Sequence, residues 1–359
     1  MASDPARKKP GLALSLLYVG LGLAGFVATA KALTPLVPWP DERGMRAKYE
    51  AFASRKDDYD AVYIGSSRVF RAVDPRVVDS AIQAAGRPFR SFNFGLDGMM
   101  AFESDFVLRE LLKLEPAQLE WIVFEANLFD PAYEFPGTDP HSRQAVYWHT
   151  PRQTWLALES VWLSKLPFRK RLDLAWVHIE TCAWKFANYG DGTVIAKRLL
   201  GWDGPDIAKD VPLAIAYEDE GYQRMEGLTT KFHTEGRVEF LKVLDKYKEF
   251  VARIPAENAA GADLSAYNFR ALREQKEAVE RAGSELVYLN MPNFRGTPDV
   301  IALAATGELP HFFQFNDPEK YPEVFEVDRR QDRGHLSRKG AEDFSRHLAD
   351  ALLGLMDGE

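Results

Sequence analysis

Short strand-like runs alternate with helix-spaced segments along this chain, and that alternation constrains its fold more than any other feature. Ala61 to Ile64 is the first run, Phe89 to Phe94 the second, Trp121-Ile-Val-Phe124 the third and Leu286-Val-Tyr-Leu289 the fourth. After the first, Asp74-Pro75 supplies an N-cap acid and a proline at the first helical position. Val77, Val78, Ile82 and Ala85 then recur at helical spacing, and Gly86 supplies the stop. Gly95 and Gly98 break the second run before a helix carrying Phe106, Val107, Leu111 and Leu114. The continuous apolar character of the third run marks a strand buried on both faces. Strands joined through helices predict an α/β architecture with a mostly parallel sheet and right-handed crossovers.

Further helices are expected later in the chain. Val238, Leu241, Leu244, Tyr247, Val251 and Ile254 mark one amphipathic helix, and Phe269 to Ala282 another, closed by Gly283. A final helix runs from Ser337 to Leu355, with Ala341, Phe344, Leu348, Leu352 and Leu355 on its inner face. Residues 131–235 break the α/β pattern and hold six of the eight tryptophans: Trp148, Trp155, Trp162, Trp176, Trp184 and Trp202. Trp155 and Trp162 lie two turns apart on one helix face. The segment is expected to be a mostly helical insertion over the carboxyl edge of the sheet. Its tryptophans either pack the insertion, stack on sugars, or form an interfacial belt at a membrane. Arg169, Lys170 and Arg171 suit lipid headgroups, although three basic residues are also a common solvated face.

The N-terminus reads as a separate unit. Residues 11–30 contain no charge, and at 1.5 Å per residue they span ~30 Å, one hydrocarbon core. Arg7, Lys8 and Lys9 precede them, which places the N-terminus in the cytoplasm and the rest of the chain outside. The expectation is a retained, single-pass anchor in the inner membrane, with the bulk of the chain in the periplasm or another extracytoplasmic space. A signal peptide cleaved after Ala28-Thr29-Ala30 is the rival. The expected organisation is a cytoplasmic N-terminus (1–10), an anchor (11–34), a linker (35–56) stiffened by Pro35, Pro38 and Pro40, an α/β domain (57–130 and 236–359), and the insertion (131–235).

Composition narrows the partners. The formal net charge of −8 lacks the basic footprint of a nucleic-acid binder. The single Cys182 excludes an intrachain disulfide framework. His141, His149, His178, His233, His311 and His347 have no metal-ligand spacing, so neither a metal nor a cofactor is expected.

Three strand ends carry candidate chemical groups. Gly65-Ser66-Ser67 follows the first strand, Asn93-Phe-Gly-Leu-Asp-Gly98 the second, and Asn127 the third. In a parallel sheet all three ends lie on one edge, where open α/β sheets place their sites. Asp332-Arg-Gly-His335 sits just before the final helix. A carboxylate three residues before a His in a turn can reach the imidazole Nδ1 and leave Nε2 free as a base. A serine hydroxyl needs such a base to become a nucleophile. Ser67 is the candidate nucleophile, with Ser66 the alternative hydroxyl; His335 is the base and Asp332 its orienter. A developing oxyanion needs preorganised donors. Gly98 offers a backbone N–H, Asn127 an amide NH₂, and the N–H of Ser67 is a third candidate. Glu125 reads as a structural acid at the sheet edge. Arg68 reads as a surface ion-pair partner or a contact for an anionic substrate group.

These motifs, in this order, resemble the four blocks of the SGNH (GDSL-like) hydrolase superfamily, over residues 57–355 without the insertion. The resemblance implies a flavodoxin-like three-layer α/β sandwich. It gives Ser67 the nucleophile's place, Gly98 and Asn127 the oxyanion-hole places, and Asp332 and His335 the rest of the triad. Two positions depart from the family pattern. Ser66 stands where the family usually has Asp, and Ala126-Asn127-Leu128 replaces Gly-Asn-Asp. Both look like the membrane-anchored branch that modifies envelope polymers, which includes alginate O-acetylation proteins and the teichoic acid D-alanylation transfer protein. What the resemblance implies is an exported serine acyltransferase or esterase acting on an envelope polysaccharide or related polymer, by O-acetyl transfer, beside a membrane-bound O-acyltransferase. The alternatives are a non-catalytic polysaccharide-binding or scaffold module and a lipid-directed hydrolase.

Overall fold

The computed structural model describes residues 11–40, 44–129, 142–201, 213–226, 228, 231–262 and 264–358. The chain begins with helix α1 (Leu12–Leu33), then α2 (Met45–Ser54), strand β1 (Ala61–Ile64), α3 (Ser67–Ala72), α4 (Pro75–Ala84), β2 (Ser91–Asn93), α5 (Ala101–Leu112) and β3 (Trp121–Glu125). A helical excursion follows: α6 (Arg143–Trp148), α7 (Pro151–Leu163), α8 (Phe168–Phe186), α9 (Gly192–Leu200), α10 (Leu213–Tyr217), α11 (Lys231–Lys242), α12 (Leu244–Ala259) and α13 (Ala266–Arg281). The chain then returns through β4 (Glu285–Asn290), α14 (Pro298–Ala305), β5 (His311–Gln314) and α15 (Arg338–Asp357).

The five strands form one sheet in the order β2-β1-β3-β4-β5, and every neighbouring pair is parallel. Every residue of β1 and β3 is buried, as their apolar runs require. Alternate side chains enter two cores. Val62, Ile64, Ile122, Phe124, Leu286 and Tyr288 pack with residues of α2, α5 and α13. Ala61, Tyr63, Val123, Val287 and Leu289 pack with residues of α4, α12 and α15. Helices therefore cover both faces, the arrangement that satisfies strands apolar on both sides.

The helix signals act locally as expected. Asp74 caps α4 by accepting the Arg76 N–H at 3.1 Å, with Pro75 at the first helical position. Ser337 caps α15 by accepting the Gly340 N–H at 3.3 Å. The exposed edge of β2 is covered by a return of the excursion, where Asn93 N–H donates to the Glu220 carbonyl at 2.8 Å. Gly221 is required at that crossing: it has φ +83°, and a Cβ on it would fall 2.1 Å from the Asn93 carbonyl oxygen.

Several expectations need correction. Residues 35–56 are not a linker throughout, because α2 buries Met45, Lys48, Ala51 and Phe52 in the core at helical spacing. The stripe from Val238 to Ile254 does not form one helix. The chain breaks at Val243 (φ −118°, ψ 25°), so Val238 and Leu241 stay exposed while Tyr247 and Ile254 are buried. Helices α6, α7 and α8 pack against α5, α13 and α1, while the later part of the insertion reaches the carboxyl end of β2, where Glu220 and Gly221 meet Asn93. Trp148 is buried, stacked on Phe102 at 6.0 Å, whereas Trp155, Trp162 and Trp176 are exposed; Trp202 lies outside the described residues.

Among the described residues, α1 is the one helix long and apolar enough to cross a membrane. It continues unbroken through Ala30. Asn188, just beyond α8, donates to the Ala30 carbonyl at 2.9 Å.

Asp79 of α4 holds the β2 edge by accepting the N–H and hydroxyl of Ser91 at 3.1 and 2.6 Å. Burial, with Glu220 and Asp60 nearby, pushes its carboxyl up to about 7 against the pull of those hydrogen bonds. Between the unfolded value near 4 and 7, the folded chain keeps a proton that the unfolded chain has lost, so stability falls as pH rises through that window. Asp79→Asn is therefore expected to raise the thermal midpoint at pH 8, by ~1–2 kcal/mol of stability, and to change it little at pH 4. Thermal unfolding of both proteins at the two pH values checks this.

Candidate functional site

The site is built where the strand order reverses. From β1 the chain goes to β2 on one side and returns to β3 on the other, which opens a crevice outside the carboxyl ends of β1 and β3. Gly65 turns the chain out of β1. A Cβ on it would sit 2.4 Å from Val69 Cγ2 and 2.6 Å from Glu125 Cβ, so no larger residue fits. Ser66 caps α3. Its Oγ accepts the Arg68 N–H at 3.2 Å, and its own N–H donates to the buried Glu125 carboxylate at 2.5 Å. That hydroxyl is committed to the turn. Ser67 opens α3, and its Oγ lies 2.8 Å from His335 Nε2.

His335 reaches Ser67 because α15 packs against α3 and α4. Ser345 of α15 accepts the Asp74 N–H at 2.9 Å and donates to the Ala72 carbonyl at 3.2 Å. These contacts tie the final helix to the end of α3, so the loop ahead of α15 arrives at the Gly65-Ser66-Ser67 turn. Within that loop His335 Nδ1 faces Asp332 Oδ2 at 2.9 Å and Oδ1 at 3.1 Å. The same carboxylate accepts the N–H groups of Gly334 (2.6 Å) and His335 (2.8 Å). Buried Arg330 braces the loop by donating to the Arg333 carbonyl at 2.8 Å. Burial alone would raise the Asp332 carboxyl. The hydrogen bond and charge of His335, with the two backbone donors, outweigh burial and hold it below the usual carboxylate range. It stays an anion suited to orient an imidazole and stabilise an imidazolium. The His335 and Asp332 side chains are 19% and 18% exposed, so the relay opens to solvent at one side.

The other two candidates flank this relay. Gly98 lies in the turn after β2 at φ +70°, and its N–H donates to no acceptor among the described residues. The turn is tied to β1 by the Leu96 N–H on the Gly65 carbonyl at 3.0 Å. Asn127 lies just past β3, and its Oδ1 accepts from Arg68 Nη2 at 3.4 Å. The same nitrogen pairs with Glu125 Oε1 at 2.8 Å. An amide whose oxygen is engaged this way leaves its NH₂ to donate elsewhere. Hydrogen bonds thus join Ser67, His335 and Asp332, and Arg68 links Asn127 to the Gly65-Ser66-Ser67 turn. Gly98 has no hydrogen bond to the other four.

Three positioning residues escaped the sequence reading or were undervalued by it. Glu125 joins β3 to Ser66 and Arg68 across the base of the crevice. Arg71, nearly fully buried, pairs with Asp97 at 2.6 Å and fixes the residue before Gly98. Fully buried Lys48 donates to the Gly95 and Asn93 carbonyls at 2.6 and 3.1 Å. Burial, with the Arg71 charge, lowers its ammonium well below the ordinary lysine range. A cation on the apolar face shared by Met45 and Phe52 was the signal that could have revealed Lys48.

Among the described residues, no other histidine stands in such a relay with a serine hydroxyl. Buried His149 pairs with His178 at 2.9 Å and with the Ala145 carbonyl. Burial and the His178 ring push its imidazole down to about 3, which leaves a neutral ring between α6 and α8. Among the described residues no group of three or more His, Cys, Asp or Glu is placed to hold a metal.

The chain matches no model of a known protein family and no curated protein.

Proposed function

We propose that this chain is a membrane-anchored serine acyltransferase or esterase of the SGNH (GDSL-like) kind, acting on an envelope polysaccharide or related polymer. The observation that carries this reading is the continuous relay from Ser67 Oγ through His335 to the Asp332 carboxylate. The strand order supports it, since 2-1-3-4-5 is the flavodoxin-like doubly wound order, with its site at the β1/β3 reversal.

In the first half-reaction His335 Nε2 takes the Ser67 proton as Oγ bonds to the carbonyl carbon of an acyl ester. The oxyanion is met by the Asn127 amide and the N–H groups of Gly98 and Ser67. Collapse breaks the carbon–oxygen bond to the leaving alcohol, which receives the proton from His335, and leaves an acyl-Ser67 ester. In the second half-reaction His335 deprotonates an acceptor hydroxyl. That oxygen attacks the acyl carbon, and Ser67 leaves with the proton. A sugar hydroxyl as acceptor gives transfer, and water gives hydrolysis; transfer is the preferred reading.

Helix α1 supports a retained anchor, because cleavage after Ala30 would sever the helix at the residue held by Asn188. Arg7, Lys8 and Lys9 ahead of it support an inner-membrane anchor with the α/β domain in the periplasm. Tethering raises the effective concentration near a membrane-embedded donor, so a membrane-bound O-acyltransferase fits as partner.

The test is turnover of an acetyl ester by the purified full chain, with and without an envelope oligosaccharide. The expected result is acetylated oligosaccharide, formed at the expense of free acetate. Absence of turnover by folded protein would overturn the enzymatic reading in favour of a scaffold. A strong preference for long-chain esters in detergent would point to lipid hydrolysis instead.

A further inference from the structure

Helix α8 has two unlike sides. Ala175, His178 and Thr181 are buried on one side, against α6 and α7. On the other, Leu172, Trp176 and Ile179 form a stripe that is 45, 65 and 48% exposed. Helix α8 has a defined end at each terminus. At the C-terminal end Asn188 holds the Ala30 carbonyl, and α8 touches α1 where that helix finishes. At the N-terminal end the rings of Trp162 and Phe168 lie 6.4 Å apart, and the Arg171 guanidinium lies 6.0 and 5.9 Å from them. Arg169 and Lys170 are exposed beside them. Nineteen helical residues separate the two ends, a reach of ~28 Å.

We propose that this face of α8 lies on the lipid bilayer, with the helix in the interface plane and the Trp162–Phe168–Arg171 corner among anionic headgroups. The proposal rests on α1 crossing the membrane. Lipid is favoured as occupant by continuity and by charge. Helix α8, which carries the stripe, ends where Asn188 holds the apolar helix at Ala30. A chain of net charge −8 places three consecutive cations, Arg169, Lys170 and Arg171, next to exposed aromatic rings, the composition of an interfacial helix. With the α1 exit as a first point of attachment and the corner as a second, the orientation of the Ser67 crevice to the membrane is fixed.

The experiment uses the full chain in vesicles of phosphatidylethanolamine and phosphatidylglycerol, with plain or brominated acyl chains. Bromine quenches only tryptophans that reach the bilayer. The wild type is expected to lose at least about twice as much emission to bromine as Trp162→Phe/Trp176→Phe, since these amphipathic rings would sit at headgroup level. The loss should shrink when phosphatidylcholine replaces phosphatidylglycerol. Alkaline carbonate extraction reads the anchor separately. Release by carbonate overturns the anchor, and this proposal with it. Retention with equal quenching in both proteins overturns the docking alone and leaves the face to a protein or sugar partner.

Discussion

Ser67→Ala is expected to lower acyl-ester turnover by at least about 10³-fold, because among the described residues its hydroxyl is the one that stands against the His335 imidazole. His335→Gln should cost about as much, and the double variant no more than either single one, since nucleophile and base act as a unit. Ser66→Ala tests the neighbouring hydroxyl against Ser67 as the proposed nucleophile. The Ser66 Oγ is engaged by the Arg68 N–H, so its removal is expected to cost ~1 kcal/mol of stability as a lost helix cap while turnover stays within an order of magnitude. Steady-state kinetics on the four variants, with circular dichroism as the folding control, checks the set. Equal losses in Ser66→Ala and Ser67→Ala would contradict the assignment.

Gly65→Ala is expected to have the second-largest effect, although the residue carries no chemistry. The added methyl would fall 2.4 Å from Val69 Cγ2 and 2.6–2.7 Å from Glu125 Cβ and Oε2. Val69 belongs to α3 and Glu125 to β3, so the methyl pushes apart the two elements that hold Ser67. Overpacking of this kind costs ~1–3 kcal/mol, and a displacement of the order of 1 Å at the nucleophile is expected to cost about 10²-fold in kcat. The loss in kcat should therefore exceed what the loss of folded protein explains. Thermal unfolding and kcat measured on the same preparation separate the two effects. An unchanged kcat would show that the Gly65 turn does not set the position of Ser67.

The parts of this molecule legible in sequence are those governed by local chemistry. Apolar runs fixed β1 and β3, and the Asp74-Pro75 start and the Ser337 cap placed α4 and α15 close to their observed bounds. That Ser67, His335 and Asp332 would meet was legible because turn glycines, a hydroxyl and an Asp-x-x-His pair carry their signal in residue type. The short edge strand β5, His-Phe-Phe-Gln, was missed because its four residues are half-buried and show no clean alternation. The break at Val243 was missed because the apolar stripe continues through it in sequence while the backbone changes direction. Lys48, Arg71 and Glu125 act through contacts with strand-end backbone and loops remote in sequence, which residue spacing does not encode. The placement of the insertion likewise depends on how α7 and α8 meet α5, α13 and α1.

The most direct measurement is covalent labelling of the folded full chain with a serine-directed fluorophosphonate, followed by peptide mass mapping. A base-activated hydroxyl is predicted to take one adduct, on Ser67, which disappears in Ser67→Ala and in His335→Gln and persists in Ser66→Ala. An adduct on another residue, or correctly folded protein that takes none, would contradict a nucleophile activated by His335.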